Sequence, residues 1–574
     1  IDARAARDFG GANVIKNMED NQLMLDNPSL TLLTFDCNPT GSDQKYAVNQ
    51  HICRKYARDN AIKVYDINAG IGTHILIQDG LAYPGSTCVT TDSHANILGA
   101  VGAFGQGMGD KDIAAAWANG KVWFKTPASV RLDFIGKRPG NVTAKDIVLN
   151  LLAKFGANSL LGYSVELYGE AIDALTLNER ITLASMGTEM GAIILLIPPN
   201  REVLDYCSKR RGKAIEPVVA DVDAHYKETF TIDISEFTPR VSRPGKPHDT
   251  VSVSELPQTR IDPAFIGSCT NGRYEDMKAA ADILKGRKIA PGVVLKIVPA
   301  TDEVWQECLD TGLVAIFKKA GALLSNAGCA GCAAGQVGQN GPGEITVSTG
   351  NRNFPGKQGK GEVYLASPAI VAASAVAGFI TTPDNIPAEP VVYKPQTKPF
   401  NIDNKRDVSS YEVEEKPVKL EGRAWVIKED NIDTDMIFHN RYLTITELAE
   451  MGQYTFDNLE GYKDFAKKAK PGDIVIVGKN FGSGSSRQQA VDCFKSLGVQ
   501  AIIAESYGAI YERNAINAAF PILTCKDIDA LKASDGDIVS IDLETGEVAN
   551  KGINVKAEPF SEVQMSIYQK GGIF

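Results

Sequence analysis

The chain reads as an α/β protein of several domains, and three observations lead there. Short β-rich runs alternate with helix-patterned stretches almost throughout, as strand–helix–strand units do. At 574 residues the chain exceeds what one hydrophobic core serves. The segment Thr382 to Lys416, rich in Pro, Asp and Lys and without apolar periodicity, reads as a linker before a last α/β domain. In chain order, strand runs end at Asp66, Thr91 and Cys269, and further runs occupy Val293 to Pro299 and Glu362 to Ser367. A new strand, VRLDFIG, begins after Pro127, while Pro, Ser and charge interrupt the pattern between Pro239 and Thr259. The breaks place expected domains at residues 1–128, 129–245 and 246–385, a linker at 386–416 and a final domain at 417–574.

Composition narrows the function classes. With 44% hydrophobic and 23% charged residues the chain is that of an ordinary globular enzyme, and a net charge of -10 gives no reason to expect a nucleic-acid partner or an anionic membrane. No apolar run approaches the ~18 residues of a membrane span, so a cytoplasmic location is expected, or the mitochondrial matrix if a transit segment preceded Ile1. Ten cysteines are too few for a disulfide scaffold, which leaves thiols for metals or catalysis.

Four constellations carry chemistry. Cys269 ends an apolar strand in FIGSCTNGR, and Cys329 and Cys332 form a CxxC pair in NAGCAGCAAG. Spacing alone leaves cluster ligation, a zinc half-site and inert thiols open, although no second CxxC or paired His follows at zinc-ribbon spacing. Three thiolates on a four-iron cluster would leave one iron free to act as a Lewis acid. Next, KNFGSGSSRQQ (Lys479 to Gln489) lies between the strand DIVIVG and a helix, a place for an anion nest, and Arg487 adds a planar fork suited to a carboxylate. It is not a P-loop, because no Lys-Ser/Thr pair follows the glycines. The run TTDSH (Thr90 to His94), with His74 upstream in GIGTHILIQDG, supplies groups that orient a carboxylate or relay protons, though an Asx-capped turn explains it equally in isolation. Finally, STGNRNFPGKQG (Ser348 to Gly359) offers Arg352 and Lys357 in a loop after a strand, where solvated cations are also common. Cations, hydroxyls and a Lewis acid together suit elimination on a polyanionic substrate.

Cys-Thr-Asn at Cys269 to Asn271, GCxxC at Gly328 to Cys332, the NRNF loop, TDSH and the GxGSSR loop occur in an order that resembles the aconitase superfamily of aconitase, homoaconitase and 3-isopropylmalate dehydratase. The resemblance covers nearly the whole chain. Near Met108 to Pro127 and Tyr442 it is closer to isopropylmalate dehydratase and homoaconitase. It implies three α/β domains around an iron–sulfur cluster, a C-terminal α/β swivel domain that closes the site, and reversible dehydration of a small hydroxy di- or tricarboxylic acid.

The resemblance also implies roles. Cys269, Cys329 and Cys332 would hold a [4Fe–4S] cluster with one labile iron, with Asn271 and Asn351 beside it. Ser485 would be the base that takes the carbon-bound proton. Ser93, Arg352, Lys357, Ser486, Arg487 and Thr444 would bind substrate. Asp36, His74, Asp92, His94 and Glu189 would serve the labile iron and the departing water, and Asp435 would partner the swivel-domain groups. Departures are visible too: Cys37 stands where the family has His, Lys357 where it has a second Arg, Ser185 where Asn is usual, and Gln488-Gln489 after SSR. A thiol is a poorer proton donor near neutral pH, which would move that step to His94 or His74. Thr444 and Ile445 after Tyr442-Leu443 lack the Arg that selects an extra carboxylate, which favours a small or uncharged variable arm, whereas the single-chain layout favours aconitase-like isomerases. Two alternatives stand beside the hydro-lyase: an RNA-binding regulator that senses cluster loss, and a catalytically inactive homologue.

Overall fold

The computed structural model describes residues 1–574 except Phe9, 42–43, Asn158, 333–336, 392–414, Thr444, Ser486 and Phe574, and leaves out the side chains of 44–45 and Cys332. The chain forms two compact units, residues 1–397 and 398–574. The 392–414 part of the expected linker lies outside the described residues. Among the described residues no helix is long and apolar enough to cross a membrane.

The first unit holds three sheets. The first is wholly parallel and joins β1 (Ala3–Arg7), β2 (Thr31–Thr34), β3 (Lys63–Tyr65), β4 (Thr87–Thr90) and β5 (Phe104–Gly107) in the order β3-β2-β1-β4-β5. Chain progression reverses between β1 and β4, so the crevice beyond the carboxyl ends of these strands is the natural ligand position. The second sheet, also parallel, comprises β6 (Ser129–Ile135), β7 (Ser164–Tyr168), β8 (Ile194–Leu196) and β9 (Glu228–Asp233) in the order β8-β7-β6-β9.

The third sheet adds β10 (Arg240–Ser242), β11 (Thr250–Ser252), β12 (Pro263–Ile266), β13 (Val294–Ile297), β14 (Leu323–Leu324), β15 (Ile345–Ser348) and β16 (Glu362–Leu365). Its order is β11-β10-β16-β15-β12-β13-β14, parallel from β16 to β14, with a second reversal between β12 and β15. The antiparallel pair β10–β11 caps the edge and straddles the expected 245/246 boundary. Its Pro and charges suit an edge strand, where one row of backbone groups needs no sheet partner.

Helices start where the sequence supplies caps. Thr143 with Asp146 and Thr176 with Glu179 form capping boxes, and Ser367 caps a helix with Pro368 at its first position. One apolar core runs through the first two sheets and includes Cys269 and Cys329 at its margin, and a second core serves the third sheet.

The second unit is one mixed sheet of β17 (Lys419–Ile427), β18 (Ile474–Val477), β19 (Ala501–Ala504), β20 (Ile522–Thr524), β21 (Ile538–Asp542), β22 (Glu547–Asn550) and β23 (Ile553–Lys556). Strands β17 to β20 are parallel, and β21 to β23 form a meander on the other side of β17. The run IVIV of β18 is buried along its length, as expected of a strand covered on both faces.

Candidate active site

The reversals of the first and third sheets bring most of the expected groups of the first unit together. Arg7 and Asp8 end β1, Asp36 and Cys37 follow β2, and Asp92 to His94 follow β4. Cys269 follows β12, Cys329 lies beyond β14, and Asn351 and Arg352 follow β15.

The cysteines sit in constrained turns. Ser268 adopts φ 82° just before Cys269, and Ala330 adopts φ 48° just after Cys329, left-handed conformations costly for residues with a Cβ. Cys269 and Cys329 are 2% and 5% exposed, and the Cys269 thiol lies 3.4 Å from Asn351 Oδ1. Cys332 closes the short turn Ala330–Cys332, and its side chain lies outside the described set.

Around them runs a network of charge. Glu189 Oε1 accepts from Arg352 Nε at 2.7 Å and pairs with His94 Nε2 at 3.1 Å. His94 Nδ1 faces Ser93 Oγ at 3.5 Å. Burial would raise the Glu189 carboxyl, but the His94 hydrogen bond and Arg352 hold it below the usual range. Asp92 Oδ1 accepts from the His94 backbone at 3.0 Å and pairs with Arg7 at 3.3 Å. Against its own burial, Arg7 and then His94 keep Asp92 ionised.

His74, fully buried on the helix Gly72–Gln78, meets the Cys269 carbonyl through Nε2 at 3.0 Å. A carbonyl only accepts, so Nε2 carries the hydrogen and Nδ1 presents a lone pair. Burial, then Arg273, lowers this imidazole to about 3, so it is neutral. Asp36 accepts from Arg7 Nε at 2.7 Å and from the Gly72 amide at 2.9 Å, yet burial outweighs both and lifts it to about 6. The Cys37 thiol is pushed well above its ordinary value by burial and so is not a proton donor near neutrality.

Asn271 donates to Thr182 Oγ1 at 3.3 Å and to Asp276 at 2.8 Å. Ser185, in place of the family's usual Asn, donates to the Thr182 carbonyl and pairs with the Thr270 hydroxyl, supporting the strand end that carries Cys269. Lys357 is half-buried and makes no ion pair among the described residues. Asp276 also accepts from the Arg273 amide at 3.0 Å, but lost hydration dominates and lifts its carboxyl to about 7. An acid whose folded pKa is raised contributes stability below its unfolded value, and that contribution is lost as pH rises through the folded one. Wild type should therefore lose stability relative to Asp276→Asn between about pH 4 and pH 7, which denaturant melts across that window measure.

Residues with no motif also shape the site. Arg7 reaches Asp36, Asp92 and two sulfurs. Lys145, buried in the helix Ala144–Phe155, donates to the carbonyls of Gly350 at 2.8 Å and Thr349 at 3.2 Å, holding the turn that presents Asn351 and Arg352. A lone lysine in a first helical turn reads as solvated, so only the fold reveals it.

In the second unit, Arg487 is 8% exposed and grips Asp435 with both arms, Nη1–Oδ1 at 2.6 Å and Nη2–Oδ2 at 2.8 Å, while Nη1 also donates to the Phe438 carbonyl. This pair holds Asp435 below the usual carboxylate range. The fork expected to meet a substrate carboxylate thus has a partner within its own unit. Gly482 turns the loop at φ +73°, where a Cβ would lie 2.2 Å from the Tyr511 ring, so only glycine fits. Ser485 follows, exposed, and its hydroxyl makes no hydrogen bond among the described residues. Gln488 bonds Asp492 along the helix at 3.0 Å. Ser486 and Thr444, expected to bind substrate, lie outside the described residues.

Residues 40–378 match the aconitase family (aconitate hydratase), and residues 414–527 match the aconitase C-terminal domain. The chain is 38% identical over 387 residues to 3-isopropylmalate dehydratase large subunit 1 of Methanopyrus kandleri, covering 67% of this chain and 93% of that protein. It is 34% identical over 510 residues to mitochondrial homoaconitase of Candida albicans, covering 83% of this chain and 74% of that protein. With the homoaconitase large subunit of Thermus thermophilus it shares 40% over 367 residues, 63% of this chain and 87% of that one. A three-α/β-sheet body with cysteines at a switch point, followed by an α/β unit carrying GSGSSR, therefore belongs to the aconitase family, and the chain is a hydro-lyase of that class.

Proposed function

We propose that this hydro-lyase holds a [4Fe–4S] cluster with one labile iron on Cys269, Cys329 and Cys332, and reversibly dehydrates a small hydroxy di- or tricarboxylate of the isopropylmalate, homoaconitate or aconitate class. The supporting observation is a set of buried polar atoms without a hydrogen-bond partner among the described residues, beside two buried cysteines: His74 Nδ1, Asp92 Oδ2 and Asn271 Oδ1. Such atoms normally find a hydrogen bond, water or ion, and thiols beside carboxylate and imidazole suit an iron centre with open coordination.

When bound, the cluster supplies a Lewis-acidic iron for the leaving hydroxyl and a carboxylate. The protein does the rest. Arg352, Ser93 and Lys357 are assigned to substrate carboxylates, and the family resemblance adds Ser486, Arg487 and Thr444 to the substrate-binding set. Ser485 takes the carbon-bound proton, a role that requires neighbouring donors to stabilise its anion. The ionised Glu189 accepts from His94 Nε2 and fixes the ring; as the imidazolium, His94 passes its Nδ1 proton to the departing hydroxyl and is left as the neutral ring with Nε2–H still on Glu189. Asp92, Asp36 and neutral His74 accept hydrogen bonds from the released water. Domains at 1–128, 129–245, 246–385 and 417–574 joined by the linker at 386–416 complete the reading, as does a cytoplasmic or mitochondrial-matrix location.

The test is anaerobic reconstitution with iron and sulfide, then ultraviolet detection of alkene formation from 3-isopropylmalate, homoisocitrate, isocitrate, citrate, citramalate and malate. Turnover of one of the larger hydroxy acids is expected. Turnover of none, with iron and sulfide fully incorporated, would remove the substrate class.

A further inference from the structure

Arg7 closes β1 and is the most heavily engaged cation of the first unit's site. Its side chain is 14% exposed, and its three nitrogens meet four different groups. Nε donates to Asp36 Oδ1 at 2.7 Å, Nη1 pairs with Asp92 Oδ1 at 3.3 Å, and Nη2 donates to both Cys37 Sγ at 3.2 Å and Cys329 Sγ at 3.0 Å. The main chain adds a further tie, because the Cys329 amide donates to the Asp36 carbonyl at 2.8 Å. The turn bearing Cys329 is thus fastened to the ends of β1, β2 and β4 through one planar fork.

Charge makes that fork consequential. Asp36 and Asp92 are 0% and 2% exposed, and a ligating Cys329 is a thiolate, so three negative groups converge where water cannot screen them. Arg7 is the cation that touches all three. Cluster potentials respond to hydrogen bonds on the ligand sulfurs and to net nearby charge. A guanidinium donating to a ligand sulfur favours the more negative, reduced form and so raises the potential. A lysine could supply the charge, but its three donors sit on one nitrogen and lack the rigid planar fork whose separate nitrogens reach carboxylates and sulfurs in fixed directions.

Resting on the cluster assignment above, we propose that Arg7 is a positioning residue that tethers the ligand Cys329 to Asp36 and Asp92 and thereby sets both the reduction potential of the cluster and its hold on iron. Cys37 takes part as the second sulfur on Nη2.

The experiment compares full-length wild type, Arg7→Gln and Arg7→Lys after anaerobic reconstitution, by spectroelectrochemical titration of the cluster and by iron release to a ferrous chelator. Arg7→Gln should shift the midpoint to more negative potential and release iron about ten- to a hundredfold faster, as losses of outer-shell partners do. Arg7→Lys should keep much of the potential yet release iron nearly as fast as Arg7→Gln, because it keeps the charge and loses the fork. A merely structural role would lower thermal stability and leave the potential of the assembled cluster where it was. Wild-type potential and release rate in Arg7→Gln would overturn the proposal, and if that variant does not fold, wild-type release from Arg7→Lys would do so. A wild type that assembles no cluster would instead overturn the cluster assignment on which the proposal rests.

Discussion

Ser485→Ala should lower kcat by about 10⁴-fold or more while leaving bound iron and the melting temperature unchanged. Removing a nucleophile or base that acts as part of a unit costs that much in enzymes whose remaining groups still bind substrate. The hydroxyl is exposed and unbonded among the described residues, so its loss should change stability by no more than about 0.5 kcal/mol. An ordinary serine is a weak acid, and the role needs a surrounding that stabilises its anion. On the proposed role, neighbouring donors must supply that stabilisation. Steady-state kinetics beside an iron assay check this. A variant within tenfold of wild type would mean that another group takes the proton.

Cys329→Ser should cost more, because on the proposed ligand set it removes the centre rather than a step. Bound iron and sulfide should fall at least about tenfold after reconstitution, with turnover at background, since a serine is a far weaker ligand for iron–sulfur clusters. The fold should survive. Cys329 is 5% exposed in a glycine-rich turn, and the hydrogen bond its amide donates to the Asp36 carbonyl is independent of the side chain. Visible absorption, iron analysis and circular dichroism on one sample separate the two effects. Full iron retention in this variant would assign the thiol to packing instead.

The alternation of strands and helices was legible because the parallel strands are buried on both faces and so appear as short apolar runs with helices between them, as in IVIV of β18. The β10–β11 hairpin was not, because edge strands carry the Pro, Ser and charge that mark a break in any sequence reading. Within the site, the ordered motifs supplied the cysteines, the TDSH turn and Arg352, the resemblance added Glu189, and the fold brings His94, Glu189, Arg352 and Ser93 into one chain of contacts. Arg7 and Lys145 escaped. Each is a single basic residue whose partners lie far along the chain, Cys329 for Arg7 and Gly350 for Lys145, and neither periodicity nor spacing encodes such a pairing. The resemblance marked Asp435 as a partner of the swivel-domain groups, but spacing across 52 residues did not show that the pair with Arg487 is bidentate.

The most direct single measurement is turnover before and after mild oxidation of the reconstituted protein, followed by ferrous iron alone. A hydro-lyase working through one labile iron predicts activity lost on oxidation and restored by ferrous iron without added sulfide. Turnover that survives removal of all iron would contradict the account at its centre.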